Sequence, residues 1–155
     1  MRSRAVRDDA GATLVETVVA LTILGLAAVA ILGGIEFSIR SSDVHRKQAT
    51  GGAYVRSLAE AVQDHVGSGH YQDCAGADHY TGQVSLGTLP AGYTTSQSAA
   101  QSWNGTAWVG CSGGDDGIQR VRLSVTSPGD AQHSAAETMY VVLRRPCDGP
   151  VGNPC

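Results

Sequence analysis

Aromatic side chains are scarce in this sequence, at 5% of 155 residues with a single Phe, so its apolar content lies in small and aliphatic side chains. Charge is also thin: Asp, Glu, Lys and Arg make up 16%, against about 25% in an ordinary soluble domain. The formal net charge of -3 gives no global attraction to nucleic acid or to an anionic membrane, and polyanion binding would need a local patch. At roughly 100–200 residues per domain the chain holds one globular domain, which excludes a multidomain enzyme. No internal repeat, Gly-rich nucleotide loop or nucleophile elbow is apparent, and no acid pair is framed for glycoside or peptide hydrolysis. No catalytic residue is nominated and no enzymatic activity is expected.

What the chain does have is one long apolar run. Thr17 to Ile35 carries no ionised side chain. As a helix rising about 1.5 Å per residue it reaches roughly 28 Å, close to a bilayer core of about 30 Å. Arg2, Arg4 and Arg7 precede it, and this basic start would hold the N-terminus in the cytoplasm with the rest of the chain outside. A secretory signal peptide shares the basic start, and Ala27, Ala28 and Ala30 permit a cleavage site, so a secreted hydrolase is one rival reading. The cysteines fit export. Cys74, Cys111, Cys147 and Cys155 all follow the apolar run, and an even number in an oxidising space implies two disulfides. The turn-rich segment from Cys147 to Cys155 closes a short terminal loop, which favours Cys74 with Cys111 and Cys147 with Cys155; the other two pairings stay open.

Glu16 stands one residue before the uncharged run, between Leu14-Val15 and Val18-Val19. A carboxylate at full membrane depth costs about 2.5–3.5 kcal/mol, so it calls for a partner or for a place near the headgroups, where the positive end of the helix dipole favours it. The surrounding residues, Gly11-Ala12-Thr13-Leu14-Val15-Glu16 after a short basic leader and before an aliphatic helix, resemble the N-terminal processing motif of type IV pilins and type II secretion pseudopilins. The resemblance covers about the first quarter of the chain. It implies cleavage after Gly11 by a membrane-embedded prepilin peptidase, N-methylation of Ala12, and a role for Glu16 in assembly and register. The spacing has a physical sense: cleavage creates a cationic amine at Ala12, and Glu16 lies on the same helical face four residues on. In a bundle of staggered copies the carboxylate of one chain would instead neutralise the amine of its neighbour. The run Val18-Val19-Ala20-Leu21-Thr22-Ile23-Leu24 further resembles minor pilins and minor pseudopilins. Ala12 stands where Phe or Met is frequent, Asp8 and Asp9 precede Ala10 where a basic residue is often found beside the glycine, and Gly33-Gly34 replace the helix-bending proline of major pilins.

Beyond Ile35 the pattern stays helical to about Val66. Val55, Leu58, Ala59, Val62 and Val66 recur at steps of three and four as one apolar stripe, with Gly51-Gly52 an expected weak point or kink. From Gly67 short alternating segments take over. Ile118–Val125 and Thr138–Arg144 read as paired antiparallel strands whose odd-numbered residues cover the helical stripe. Trp103 to Trp108 reads as a hairpin around Asn104-Gly105, and Val84–Leu89 as a further strand. The expected fold is α+β and pilin-like, a long N-terminal helix packed on a small antiparallel sheet. Its divisions are leader 1–11, membrane and filament-core helix 12–35, amphipathic continuation 36–66 and a disulfide-containing β-rich exported domain 67–155.

Three clusters invite other chemistry. His65, His70, Cys74 and His79, with Asp73 and Asp78 between them, match no compact zinc spacing, and Cys74 is better used in a disulfide. Nor does anything in the sequence mark the Cys74 thiol as free or activated for nucleophilic work. Asp115 and Asp116 sit in a flexible loop that suits a hard ion such as calcium, yet the usual calcium-loop spacing is absent; no cofactor is expected, with calcium the candidate if one binds. Arg120, Arg122 and Arg144 share the outer face of the paired strands, where DNA binding is the disfavoured alternative to a solvated face. The expectation is a minor pilin or minor pseudopilin of a type IV pilus or type II secretion filament. It would be single-pass in the cytoplasmic membrane, then part of a cell-surface or periplasmic filament, with prepilin peptidase, other pilins or pseudopilins and membrane lipids as partners. The main rival is an uncleaved bitopic membrane protein with an exported ligand-binding domain.

Overall fold

Thr13 opens the long helix. Its hydroxyl accepts the Glu16 backbone N–H at 3.2 Å, the bond an N-cap residue makes, and Thr13-x-x-Glu16 has the form of a capping box. The computed structural model describes residues 13–130 and 133–147. Helix α1 (Leu14–Gly67) is followed by strands β1 (Thr94–Gln97), β2 (Gln101–Trp103), β3 (Trp108–Gly110), β4 (Ile118–Thr126) and β5 (Ala136–Arg144). The chain divides after Ser41 into two compact units.

In the first unit the helix is apolar on every side from Thr17 to Ile35, and an exposed Glu36–Arg40 pair follows that stretch. Its large side chains from Leu14 to Ile39 are 51% to 80% exposed, and it is long and apolar enough to cross a membrane. The Thr22 hydroxyl donates to the Val18 carbonyl at 2.8 Å and that of Thr17 to the Thr13 carbonyl at 3.4 Å, so both polar groups are satisfied inside the helix. Gly33 and Gly34 lie in unbroken helix.

In the second unit the expected stripe of Val55, Leu58, Ala59, Val62 and Val66 is buried, and Gly51 is buried with it. Helix also continues through Gly51-Gly52, where a weak point was expected, and packing supplies the reason. A Cβ on Gly51 would stand 3.2 Å from Cγ of Glu137 and 3.8 Å from the Val125 carbonyl oxygen, so a bare backbone lets the helix come close to β4 and β5. The helix ends at Gly67, and Gly69 follows with φ of 92°.

Strand β4 is the centre of an antiparallel sheet. One edge pairs along its full length with β5; the other is shared by β1, opposite Leu123–Thr126, and β2, opposite Gln119–Arg120. As alternation predicts, Val121, Leu123, Val125, Val141 and Leu143 point inward and join Val55, Leu58, Val62, Val66 and Tyr80 in one core. Each fully buried Val or Leu contributes about 1.5–3 kcal/mol. The Trp hairpin forms as β2 and β3, with Trp103 opposite Trp108 and the Asn104 side chain accepting the Thr106 and Ala107 N–H groups at 2.9 and 2.8 Å.

The expected strand at Val84–Leu89 does not form. Val84 and Leu86 do turn toward the core in alternation, but Gly87 takes φ of 70°, and the β4 edge is already occupied by Thr94–Gln97. The polar segment Thr94-Thr95-Ser96-Gln97 is the strand instead.

Candidate functional site

Two regions carry polar chemistry: the entrance of α1 and the loop that follows it. At the entrance, Glu16 sits in the first turn, where its charge complements the helix dipole and its backbone N–H is capped by Thr13. Gly11 and Ala12, the expected processing and methylation positions, lie outside the described residues.

The loop after α1 is fastened to the sheet by two buried glutamines. Gln119 occupies an inward position of β4, in phase with Val121 and Leu123, and is fully buried. Its amide donates to the Gln72 carbonyl at 2.8 Å and to the Tyr80 hydroxyl at 2.9 Å, and accepts the Ala75 N–H at 3.2 Å. Gln97, at the inner end of β1, accepts the Tyr80 N–H at 2.9 Å and donates to the Gly76 carbonyl at 3.0 Å. The loop thereby receives from side chains the bonds a neighbouring strand would give. Burial raises the pKa of the Tyr80 hydroxyl, against the opposing effect of its bonds to Gln72 and Gln119.

A disulfide closes the same loop. Cys74 pairs with Cys111, as expected, at a Cα separation of 5.4 Å. Cys147 is also disulfide-bonded, and Cys155, its expected partner, lies outside the described residues. Beside the first bridge, Asp115 is buried and accepts the Cys74 N–H at 3.0 Å through Oδ2 and the Gly117 N–H at 3.0 Å through Oδ1. Burial works to raise its pKa; the backbone N–H bond from Cys74, the nearby Tyr71 hydroxyl and the N–H bond from Gly117 outweigh that and hold the carboxyl below its ordinary value. Tyr71 Oη is buried without a hydrogen bond of good geometry among the described residues, and burial, then the Asp115 carboxylate, pushes its pKa well up. Arg145 lies over the Tyr71 ring at 5.3 Å and pairs with Asp73.

The sulfurs of Cys74 and Cys111 and the Asp115 carboxylate lie within 4.8 Å of one another. With both sulfurs in a disulfide there is no thiolate to offer a metal, and the carboxylate is engaged with backbone amides, so the cluster works as a fastening. Asp116, the other candidate cation ligand, is exposed, with φ of 52°. His65 and His70 stack at 4.4 Å; the Gln83 amide lies 3.2 Å from His65 Nε2 and 3.0 Å from His79 Nε2, and Cys74 is committed to its disulfide. Arg120, Arg122 and Arg144 share the outer sheet face as expected.

Sequence reasoning passed over Thr13, Gln97, Gln119 and Tyr71. Two of these had a signal: Thr13-x-x-Glu16 before an apolar run, and Gln119 in the apolar phase of a strand, where a buried amide must find partners. Comparison with family models, with curated proteins and with solved structures gives no match.

Proposed function

We propose that the chain is a structural, non-catalytic subunit of a type IV filament system, a minor pilin or minor pseudopilin with a pilin-like fold. It is anchored by α1 in the cytoplasmic membrane, processed after Gly11, and assembled through the same helix. The observation that carries this reading is a helix whose large apolar side chains from Leu14 to Ile39 are all more than half exposed and whose first turn holds Glu16. Such a surface is stable only in lipid or against other apolar helices, and a carboxylate at its start favours a surround that brings it a cation.

Two measurements test it. Mass spectrometry of the membrane-extracted protein should find a mature chain beginning at Ala12, whereas an intact Met1 terminus in cells with active prepilin peptidase supports the uncleaved bitopic rival. The second is Glu16→Gln. Glutamine serves a capping box as glutamate does, so the helix start is preserved while the charge is removed. Membrane insertion should persist and filament incorporation should fail; normal incorporation of Glu16→Gln would refute pairing of this carboxylate with a terminal amine.

A further inference from the structure

The outward face of the sheet holds a second concentration of chemistry. The Arg120 guanidinium lies between the rings of Trp108, at 4.9 Å, and Tyr140, at 4.7 Å, and donates from Nε and Nη2 to Gln101 Oε1 at 3.0 and 2.6 Å. Trp108 in turn meets Trp103 at 5.4 Å. The result is a continuous row, Trp103–Trp108–Arg120–Tyr140, laid across β2, β3, β4 and β5. Its planar groups lock one another, so the ordering cost of binding is largely met before a ligand arrives. Both ends are open, with Trp103 45% and Tyr140 58% exposed. Arg122, opposite Tyr140 in register, and Arg144, opposite Ile118, are exposed beside the row. No outward-facing position of the five strands is Asp or Glu, in a chain whose net charge is -3.

We propose that this face binds an acidic polysaccharide, with sugar rings stacked on Trp103 and Tyr140 and their carboxylates held by Arg122 and Arg144. Aromatic faces carry negative quadrupole density that attracts the polarised C–H groups of a sugar ring, and the arginine fork matches a carboxylate with two parallel hydrogen bonds. Charge number argues against nucleic acid. Nucleic-acid affinity comes largely from neutralising many phosphates, whereas beside the row this face offers Arg122 and Arg144, in a chain of net charge -3. An acidic polysaccharide draws more of its affinity from ring stacking, which Trp103 and Tyr140 supply, and needs fewer ion pairs.

The inference is independent of the filament assignment. Both tryptophans of the chain belong to the row, so intrinsic tryptophan emission reports on this face alone. The experiment titrates the full chain in detergent micelles with polygalacturonate, with a neutral glucan and with a single-stranded oligonucleotide. Polygalacturonate should change the emission saturably and in a salt-sensitive way, with the other two binding roughly tenfold more weakly or less. Tyr140→Ala should weaken polygalacturonate binding about fivefold, and the double variant Arg122→Gln with Arg144→Gln by more than about tenfold. These side chains lie outside the core, and an unchanged melting temperature confirms that each variant is folded. An unresponsive emission with polygalacturonate, tighter binding of the oligonucleotide, or parental affinity in the double arginine variant would overturn the proposal.

Discussion

Replacing Gln119 with leucine tests whether side-chain amides hold the loop after α1. The two residues are similar in size, so the change removes hydrogen bonding and leaves little cavity. Three groups are affected unequally. The Tyr80 hydroxyl still accepts the Gln72 N–H at 3.1 Å, and the Gln72 carbonyl still receives the Tyr80 hydroxyl at 3.3 Å. The Ala75 N–H loses its acceptor, Gln119 Oε1, and Ala75 is 1% exposed, so water does not reach it without an opening of the loop. An orphaned buried donor costs about 1–3 kcal/mol and each weakened bond about 0.5–1.5 kcal/mol, so a net loss of about 2–4 kcal/mol is expected. In a unit of this size that is a fall in Tm on the order of 10 °C, read by thermal unfolding of the full chain in detergent micelles. Because the Cys74–Cys111 bridge restrains the same loop, reduction and Gln119→Leu should be non-additive in a double-mutant cycle. A Tm within about 2 °C of the parent would refute the reasoning, since leucine would then hold the loop as well as three hydrogen bonds do.

The glycine pair in α1 should split. Gly52 has open space around its Cβ position, so Gly52→Ala should stabilise by up to about 1 kcal/mol, whereas Gly51→Leu should destabilise by about 1–3 kcal/mol against Glu137 and the Val125 carbonyl; chemical denaturation with matched slopes checks both. Removing the Cys74–Cys111 bridge, which spans a sequence separation of 37, with a Cys74→Ala and Cys111→Ala double variant should cost about 2–4 kcal/mol, measured as a shift in denaturation midpoint. Asp115 has a folded pKa below its ordinary value, so its contribution is present above the usual carboxylate pKa of about 3.9 and is lost as pH falls through the folded value. Asp115→Asn should therefore lower stability at neutral pH by about 1–3 kcal/mol and flatten the acid limb of a stability–pH curve; an acid limb as steep as the parent's would show that another carboxyl governs it.

Periodicity explains which parts of the fold were legible in the sequence. Val55, Leu58, Val62 and Val66 at helical steps, and Val121, Leu123 and Val125 at alternate positions, each carry enough apolar surface to declare a period, and they meet in the core as expected. The Trp hairpin was legible through Asn104-Gly105, and the Cys74–Cys111 pairing through the turn-rich composition between the other two cysteines. Strand β1 was not, because Thr94-Thr95-Ser96-Gln97 has no apolar alternation; it is a strand through its pairing with β4, a tertiary cause invisible in a local window. Val84 and Leu86 show the reverse case, an alternation that serves side-chain packing with no edge left to pair with. At the candidate site, single residues were legible and their partners were not: the Asp115 carboxylate was noticed as one of two acids in a loop, while its bond to Cys74, across a sequence separation of 41, depends on the chain path.

The two units also place their polar groups differently, and this bears on what surrounds each. Between Thr17 and Ile35 the hydroxyls of Thr17 and Thr22 turn back onto carbonyls four residues earlier, which leaves an outer surface of aliphatic side chains, with Glu16 before it and the exposed Glu36–Arg40 pair after it. In water such a bond is one option among several, and Ser68 in the second unit also takes it, donating to the Asp64 carbonyl at 2.6 Å. In hydrocarbon it removes the cost of an unpaired donor. After Ser42 the direction reverses: Gln97, Gln119 and Asp115 are sent inward to bind backbone groups of the loop, and apolar side chains cover them. These bonds replace the water that the loop's buried N–H and C=O groups give up on folding, while the apolar side chains of this unit are gathered in the core. The stretch from Thr17 to Ile35 thus suits an apolar surround and the second unit an aqueous one, and the placement of the polar atoms agrees with the hydropathy of the helix.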